Sequence, residues 1–182
     1  MNRIRITGGT WRSRLIQVAG APGLRPTPDR VRETLFNWLG QNLSGWHCLD
    51  LFAGSGILGF EAASRGAAQV DLVDNQPKPF AQLKENAALF ADARLRPVRA
   101  DALEFAASAG RLGQRYDLVM LDPPYRQGWL ERVAPLLAAL AAPGLRVYAE
   151  AEHRIDSLGD WRTLKQGQAG QVYYHLLERA DE

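Results

Sequence analysis

From Cys48 onward, short apolar runs alternate with segments whose apolar residues recur every three to four positions. The runs at 48–53, 69–74, 94–99, 116–122 and 145–151 predict buried strands, and the stretches at about 57–65, 77–91, 101–110 and 128–141 predict helices. Strict alternation of this kind predicts an α/β fold, a parallel sheet covered by helices on both faces. After residue 151 the pattern changes. Two strand-like stretches, Trp161–Lys165 and Val172–Leu177, flank a polar and glycine-rich run from Gln166 to Gln171, which reads as a hairpin turn closing the sheet with an antiparallel pair.

Upstream of Cys48 the pattern is different again. Residues 3–6 and 13–18 read as two short strands around a Gly8-Gly9-Thr10 turn. Ile4 and Ile6 alternate with Arg3 and Arg5, so the isoleucines pack on the body while the arginines face outward. A Gly- and Pro-rich link, 19–26, leads to a helix that Thr27 can cap with Pro28 at its first position. Val31, Leu35, Trp38 and Leu39 form its core stripe, with Arg30 offset from it, and Phe36 and Trp38 read as packing residues. The expected organisation is a small basic extension, 1–26, followed by one domain, 27–182.

Composition and charge add four constraints. With 46% hydrophobic residues in 182, the chain supports one substantial core. No apolar run reaches the roughly 18 residues of a membrane helix, and the N-terminus lacks a secretory core, so a cytoplasmic protein is expected. The single cysteine, Cys48, excludes an internal disulfide and a Cys-rich zinc site; His47, His153 and His175 are too scattered to suggest a metal, and none is expected. The formal charge of +2 conceals an asymmetry: residues 1–32 hold Arg3, Arg5, Arg12, Arg14, Arg25, Arg30 and Arg32 against Asp29, a balance of +6, which leaves −4 for the rest. Clustered arginines with Trp11 among them suit phosphate and base contacts, although a basic face that is merely solvated has the same composition.

Candidate chemistry sits at the predicted strand ends. Asp50-Leu51-Phe52-Ala53-Gly54-Ser55-Gly56 reads as strand, tight turn and helix start, with glycines that let backbone N–H groups approach a ligand. Gly54-x-Gly56-x-x-Gly59, with Asp74 twenty residues beyond Gly54, also fits a dinucleotide fingerprint, so the loop alone does not choose its cofactor. Asp74, Asp101 and Asp122 end or follow the next strands, on the edge where open α/β sheets bind ligands; Asp101 is also suited to cap its helix, with Glu104 closing a capping box. Asp122-Pro123-Pro124-Tyr125 is the most informative stretch. Two prolines remove two N–H donors and fix an extended backbone, so the Asp122 carboxylate and Pro123 carbonyl can accept both hydrogens of a planar amine while Tyr125 offers a stacking face.

These motifs together resemble those of class I S-adenosylmethionine-dependent amino-methyltransferases. Arg5-Ile6-Thr7-Gly8-Gly9-Thr10-Trp11-Arg12 and the block from Leu24-Arg25-Pro26-Thr27-Pro28-Asp29-Arg30-Val31-Arg32-Glu33 to Leu39 are similar to the RsmD family, which methylates the exocyclic N2 of one guanine in 16S ribosomal RNA. The resemblance runs from about residue 3 to the last strand. It implies a Rossmann-like methyltransferase fold with a mostly parallel seven-stranded sheet and an N-terminal β-hairpin. It also implies S-adenosylmethionine as donor, S-adenosylhomocysteine as product, no metal, and a monomer acting on 16S rRNA within an assembled or assembling small subunit. By that resemblance Asp50 meets the methionine amino group, Phe52, Ala53, Gly54 and Gly56 shape the cofactor turn, Asp74 and Asn75 take the ribose side, and Asp101 and Ala102 lie beside the adenine. Asp122, which also borders the cofactor, holds the target guanine with Pro123, Pro124 and Tyr125, while Arg3, Arg5, Arg12, Arg14, Arg25 and Arg30 contact RNA. Two positions depart from the family pattern: Asp74, where glutamate is more usual, and Ser13, where glycine is expected.

The rival readings each leave a feature idle. A DNA adenine-N6 methyltransferase could use Asp-Pro-Pro-Tyr but would normally carry a sequence-reading domain for which the chain has no room. A protein-glutamine methyltransferase would look like Asn-Pro-Pro-Tyr. A nicotinamide oxidoreductase leaves both Asp-Pro-Pro-Tyr and the basic hairpin without a role, and a non-catalytic RNA-binding module leaves the strand-end acids without one.

Overall fold

A computed structural model describes residues 2–19 and 26–181. Arg25, one of the expected RNA contacts, lies outside the described residues together with most of the Gly/Pro link. The N-terminal hairpin pairs β1 (Asn2–Arg5) with β2 (Leu15–Val18) antiparallel, Ile4 opposite Ile16. After it come α1 (Asp29–Trp38), β3 (His47–Asp50), α2 (Ile57–Ser64), β4 (Gln69–Asp74), α3 (Pro77–Phe90), β5 (Leu95–Arg99), α4 (Ala102–Arg111) and β6 (Tyr116–Leu121). The chain ends with α5 (Trp129–Val133), β7 (Ala141–Ala151), β8 (Ser157–Leu158), β9 (Trp161–Ala169) and β10 (Val172–Arg179). The main sheet has the order β5-β4-β3-β6-β7-β10-β9-β8, parallel through β7 and antiparallel beyond it. Seven of its strands are those expected, and β8 adds a two-residue edge. Winding reverses between β3 and β6, which is where a cleft opens at the carboxyl ends of the strands.

Three local expectations shift. The region 128–141 is not one helix: α5 lasts five residues and gives way to 3-10 turns at Ala134–Leu136 and Ala138–Leu140. Pro135 lacks the N–H that would continue the helical ladder, and β7 begins at Ala141, four residues earlier than the pattern predicts. The last hairpin closes at Gly170-Gln171 rather than across 166–171, because β9 stays paired with β10 as far as Ala169. Thr27 does not cap α1, whose N-terminal flank is Pro28; its hydroxyl is used elsewhere.

The hairpin is fastened to the sheet's helices. Ile4, Ile6, Ile16 and Val18 are buried in one cluster with Val31, Leu35 and Phe36 of α1 and Phe60 of α2, while Arg3 and Arg5 are exposed as the alternation predicts. Its turn runs against the end of α2. The Thr10 N–H donates to the Ser64 carbonyl at 2.8 Å and the Ser64 hydroxyl to the Gly8 carbonyl at 2.5 Å; a Cβ on Gly9 would lie 2.0 Å from the Ser64 carbonyl oxygen, so only glycine fits there. Asn86 of α3 joins both layers, donating to the carbonyls of Gln17 (2.7 Å) and Ser55 (3.1 Å). Among the described residues no helix is long and apolar enough to cross a membrane, and no group of His, Cys, Asp or Glu is placed to hold a metal.

Candidate active site

Five neighbouring strands each deliver an acid to the same edge: Asp101 after β5, Asp74 ending β4, Asp50 ending β3, Asp122 after β6 and Glu150 near the end of β7. The four acids expected there from the sequence are brought together, and Glu150 is a fifth. Its signal was present as an acid within an apolar strand, but no pattern tied it to Asp122. The register does, since Leu121 pairs with Ala149 and the next residues on the two parallel strands are Asp122 and Glu150.

The inner acids are poorly compensated. Asp50 is 1% exposed; its Oδ2 accepts from the Gly59 N–H at 3.1 Å, while its Oδ1 is buried without a partner. Burial, helped by the Asp74 and Glu150 charges and opposed by the Gly59 N–H, pushes its pKa up to about 7. Asp122 is pushed well above the carboxylate range by burial first and by Glu150 second. Glu150 is raised too, again by burial, against hydrogen bonds including the one the Thr27 hydroxyl donates to its Oε2 at 2.7 Å. The Tyr148 hydroxyl beside it is buried without a well-formed hydrogen bond.

The outer acids are structured instead by backbone. Asp74 accepts from the N–H groups of Gly54 and Gln76, both at 2.9 Å, so it ties the glycine turn to β4 and still has lone pairs to offer. Asp101 caps α4, accepting from the Glu104 N–H at 3.0 Å. Gly54 and Gly56 both adopt positive φ, 55° and 92°, and a Cβ at Gly54 would meet nothing within 4 Å, which leaves that side of the turn open to a ligand. Phe52 is half-buried against Trp129, ring centroids 5.5 Å apart; Ala102 is buried and Asn75 exposed. In the Asp-Pro-Pro-Tyr stretch Pro123 is buried and Pro124 exposed, and Tyr125 is 40% exposed, its hydroxyl raised to about 12 mainly by burial and then by Asp122. A cationic amine would satisfy the orphaned Asp50 oxygen, and an adenosine would find acceptors at Asp74 and Asp101, so the residues present fit S-adenosylmethionine.

The basic face is smaller than the sequence suggests. Arg3, Arg5, Arg12 and Arg30 are exposed. Arg14 is exposed as well, but its guanidinium lies 4.2 Å from the Phe90 ring and donates to the Leu89 carbonyl at 3.1 Å. Arg32, counted in the charge balance, is fully buried and paired with Asp29 at 2.7 Å, which removes it from any RNA surface. Trp11 stacks on Phe90 at 4.2 Å, with the Arg94 guanidinium over its ring at 5.3 Å, so it anchors the hairpin.

The sheet order, the glycine turn and the acids at the switch point define the class I S-adenosylmethionine-dependent methyltransferase fold. The family model described as conserved hypothetical protein 95 matches residues 4–178. The chain belongs to that family, the RsmD family. It is 42% identical over 182 residues to ribosomal RNA small subunit methyltransferase D of Escherichia coli, covering 97% of this chain and 90% of that protein. The Haemophilus influenzae protein of the same name is 36% identical, covering 96% and 93%. The solved structure of a putative methyltransferase from Escherichia coli superposes with a TM-score of 0.85 at 42% identity, covering 98% of both chains.

Proposed function

We propose that the protein transfers a methyl group from S-adenosylmethionine to the exocyclic N2 amine of one guanine in 16S rRNA of the small ribosomal subunit. The observation that carries the reading is the meeting of Asp122-Pro123-Pro124-Tyr125 with the Asp50 glycine turn at one switch point, in a chain whose relatives are named rRNA small subunit methyltransferases. When bound, the cofactor supplies an already activated methyl group. The chain's work is then positioning, which for well-oriented reactants is worth on the order of 7 to 11 kcal/mol. Asp50 holds the methionine ammonium, Asp74 the ribose and Asp101 the adenine side. One Asp122 carboxyl oxygen and the Pro123 carbonyl accept the two amine hydrogens and point the nitrogen lone pair at the methyl carbon, with Tyr125 stacked on the base. Residues 1–26 serve as the RNA-contacting extension through Arg3, Arg5, Arg12, Arg14, Arg25 and Arg30, and their phosphate contacts make binding salt-dependent.

The test is transfer of labelled methyl to small subunits lacking guanine-N2 methylation, and to the same 16S RNA stripped of protein, followed by nucleoside analysis. Label in N2-methylguanosine at one site, with subunits the better substrate, is the expected result. Label in adenine, or none on RNA, contradicts it.

A further inference from the structure

Thr27 stands just before α1, yet it neither caps that helix nor faces solvent: it is 4% exposed and its hydroxyl is spent on Glu150. Glu150 is 3% exposed and lies beside Asp122 by strand register. A buried carboxyl and a half-buried one therefore lie side by side, with the Thr27 hydroxyl donating to Glu150 and close enough to bear on Asp122 as well. The other groups facing the pair are Asp50 from β3, Tyr148 on β7, Tyr174 on β10 behind it, and Tyr125, Glu152 and Asp74 at the mouth. Among the described residues, no arginine or lysine forms an ion pair with Asp50, Asp122 or Glu150. Two bare negative charges side by side on adjoining strands, with no cation between them, repel strongly in such a setting, and one proton between them removes the conflict.

We propose that Asp122 and Glu150 act as one acceptor, neighbouring carboxyls that share a single proton, with the Thr27 hydroxyl holding the negative charge on Glu150. In the resting protein the proton sits on the Asp122 oxygen that faces Glu150. The other Asp122 oxygen is left as a pure acceptor for the target amine, an assignment that rests on the function proposed above. As the nitrogen bonds the methyl carbon, the carbon–sulfur bond breaks and its electron pair stays on sulfur. The nitrogen, now cationic, gives a proton to the free oxygen of Asp122, which passes its own to Glu150. The pair goes from one negative charge to none and returns the proton to water after product leaves. Glu150 is a positioning residue here, setting the protonation of Asp122 from behind.

The titration of Asp122 tests this directly in the ligand-free protein, by carbon-13 NMR of aspartate side-chain carboxyls with the resonance assigned through Asp122→Asn. Asp122 is expected to be protonated at neutral pH. Glu150→Gln should lower its midpoint by at least one pH unit, and Thr27→Val should raise it, because the hydroxyl's hydrogen bond favours the ionised form of the pair; Thr27→Ser should restore the original value. In turnover, Glu150→Gln should reduce kcat roughly tenfold to a hundredfold, the scale of a lost general base, while KM for RNA and cofactor affinity hold. An Asp122 midpoint near 4 in the unaltered protein, or one that Glu150→Gln and Thr27→Val leave in place, overturns the shared proton. If the midpoints move as expected but Asp122→Asn still methylates at the full rate, the pair stands and the role given to Asp122 in catalysis falls.

Discussion

Two groups of buried charge lie on the sheet face covered by the hairpin and α1, and they are built in opposite ways. In the first, Glu61 of α2 accepts from the Thr7 N–H, the Thr7 hydroxyl at 2.6 Å and Arg65 at 2.9 Å, while Arg32 donates to the carbonyls of Thr27 and Arg5 and to Asp29. Arg65 also reaches Gln41 and stacks over Phe36. All but the Arg32 Nε of these buried polar atoms have partners, which come from the hairpin, from α1 and the residues flanking it, and from the end of α2, so this cluster locks the hairpin onto the rest of the fold. In the second group Asp50 and Glu150 are buried and Asp122 is half-buried, none of the three is paired with a cation among the described residues, and an Asp50 oxygen has no partner at all. Compensated charge holds a fold together; uncompensated charge is kept for something that arrives.

The contrast can be broken most forcefully at Glu61. Glu61→Ala leaves Arg65 and Arg32 buried beside an empty site and should cost roughly 3–5 kcal/mol in denaturant unfolding, with the hairpin released first in hydrogen exchange. A loss below 1 kcal/mol would remove the distinction between the clusters.

At Asp50 the sign reverses. Its pKa is raised from 3.8 to about 7, so the folded state holds a proton that the unfolded chain has lost, and stability falls as pH rises from about 4 to about 7 before levelling. By linkage three units correspond to roughly 4 kcal/mol as an upper bound. Asp50→Asn should therefore make the ligand-free protein more stable at pH 8 and flatten this dependence, while weakening cofactor binding at least tenfold. Calorimetry at several pH values reads both effects.

The smallest expected effect lies on the hairpin. Ser13, the departure noted in the sequence, sits at φ 72°, in the left-handed region that glycine adopts without steric cost. Ser13→Gly should stabilise the protein by up to about 1 kcal/mol and leave turnover unchanged.

How legible all this was in the sequence follows the range of the signals. Strands β3 to β7 were visible because each is a local apolar run, and the strand-end acids because they sit at fixed offsets from those runs. Arg32 and Glu61 were not: beside local partners such as Asp29 and Arg65 they bond Arg5, 27 residues back, and Thr7, 54 residues back, and a buried arginine looks like a surface one in a list of charges. Thr27 misled for the same reason: it stands where a cap belongs, and nothing local announces that its hydroxyl bonds Glu150, 123 residues on. Even α5 failed on a single residue, Pro135, inside an otherwise helical pattern.

Asp122→Asn, measured for turnover and unfolding on one preparation, tests the central claim most directly. Methyl transfer to small subunits should fall about a hundredfold to a thousandfold, while stability is equal or higher and RNA still binds. A variant that loses stability in step with turnover, or that keeps both, would show that Asp122 belongs to the fold and not to the reaction.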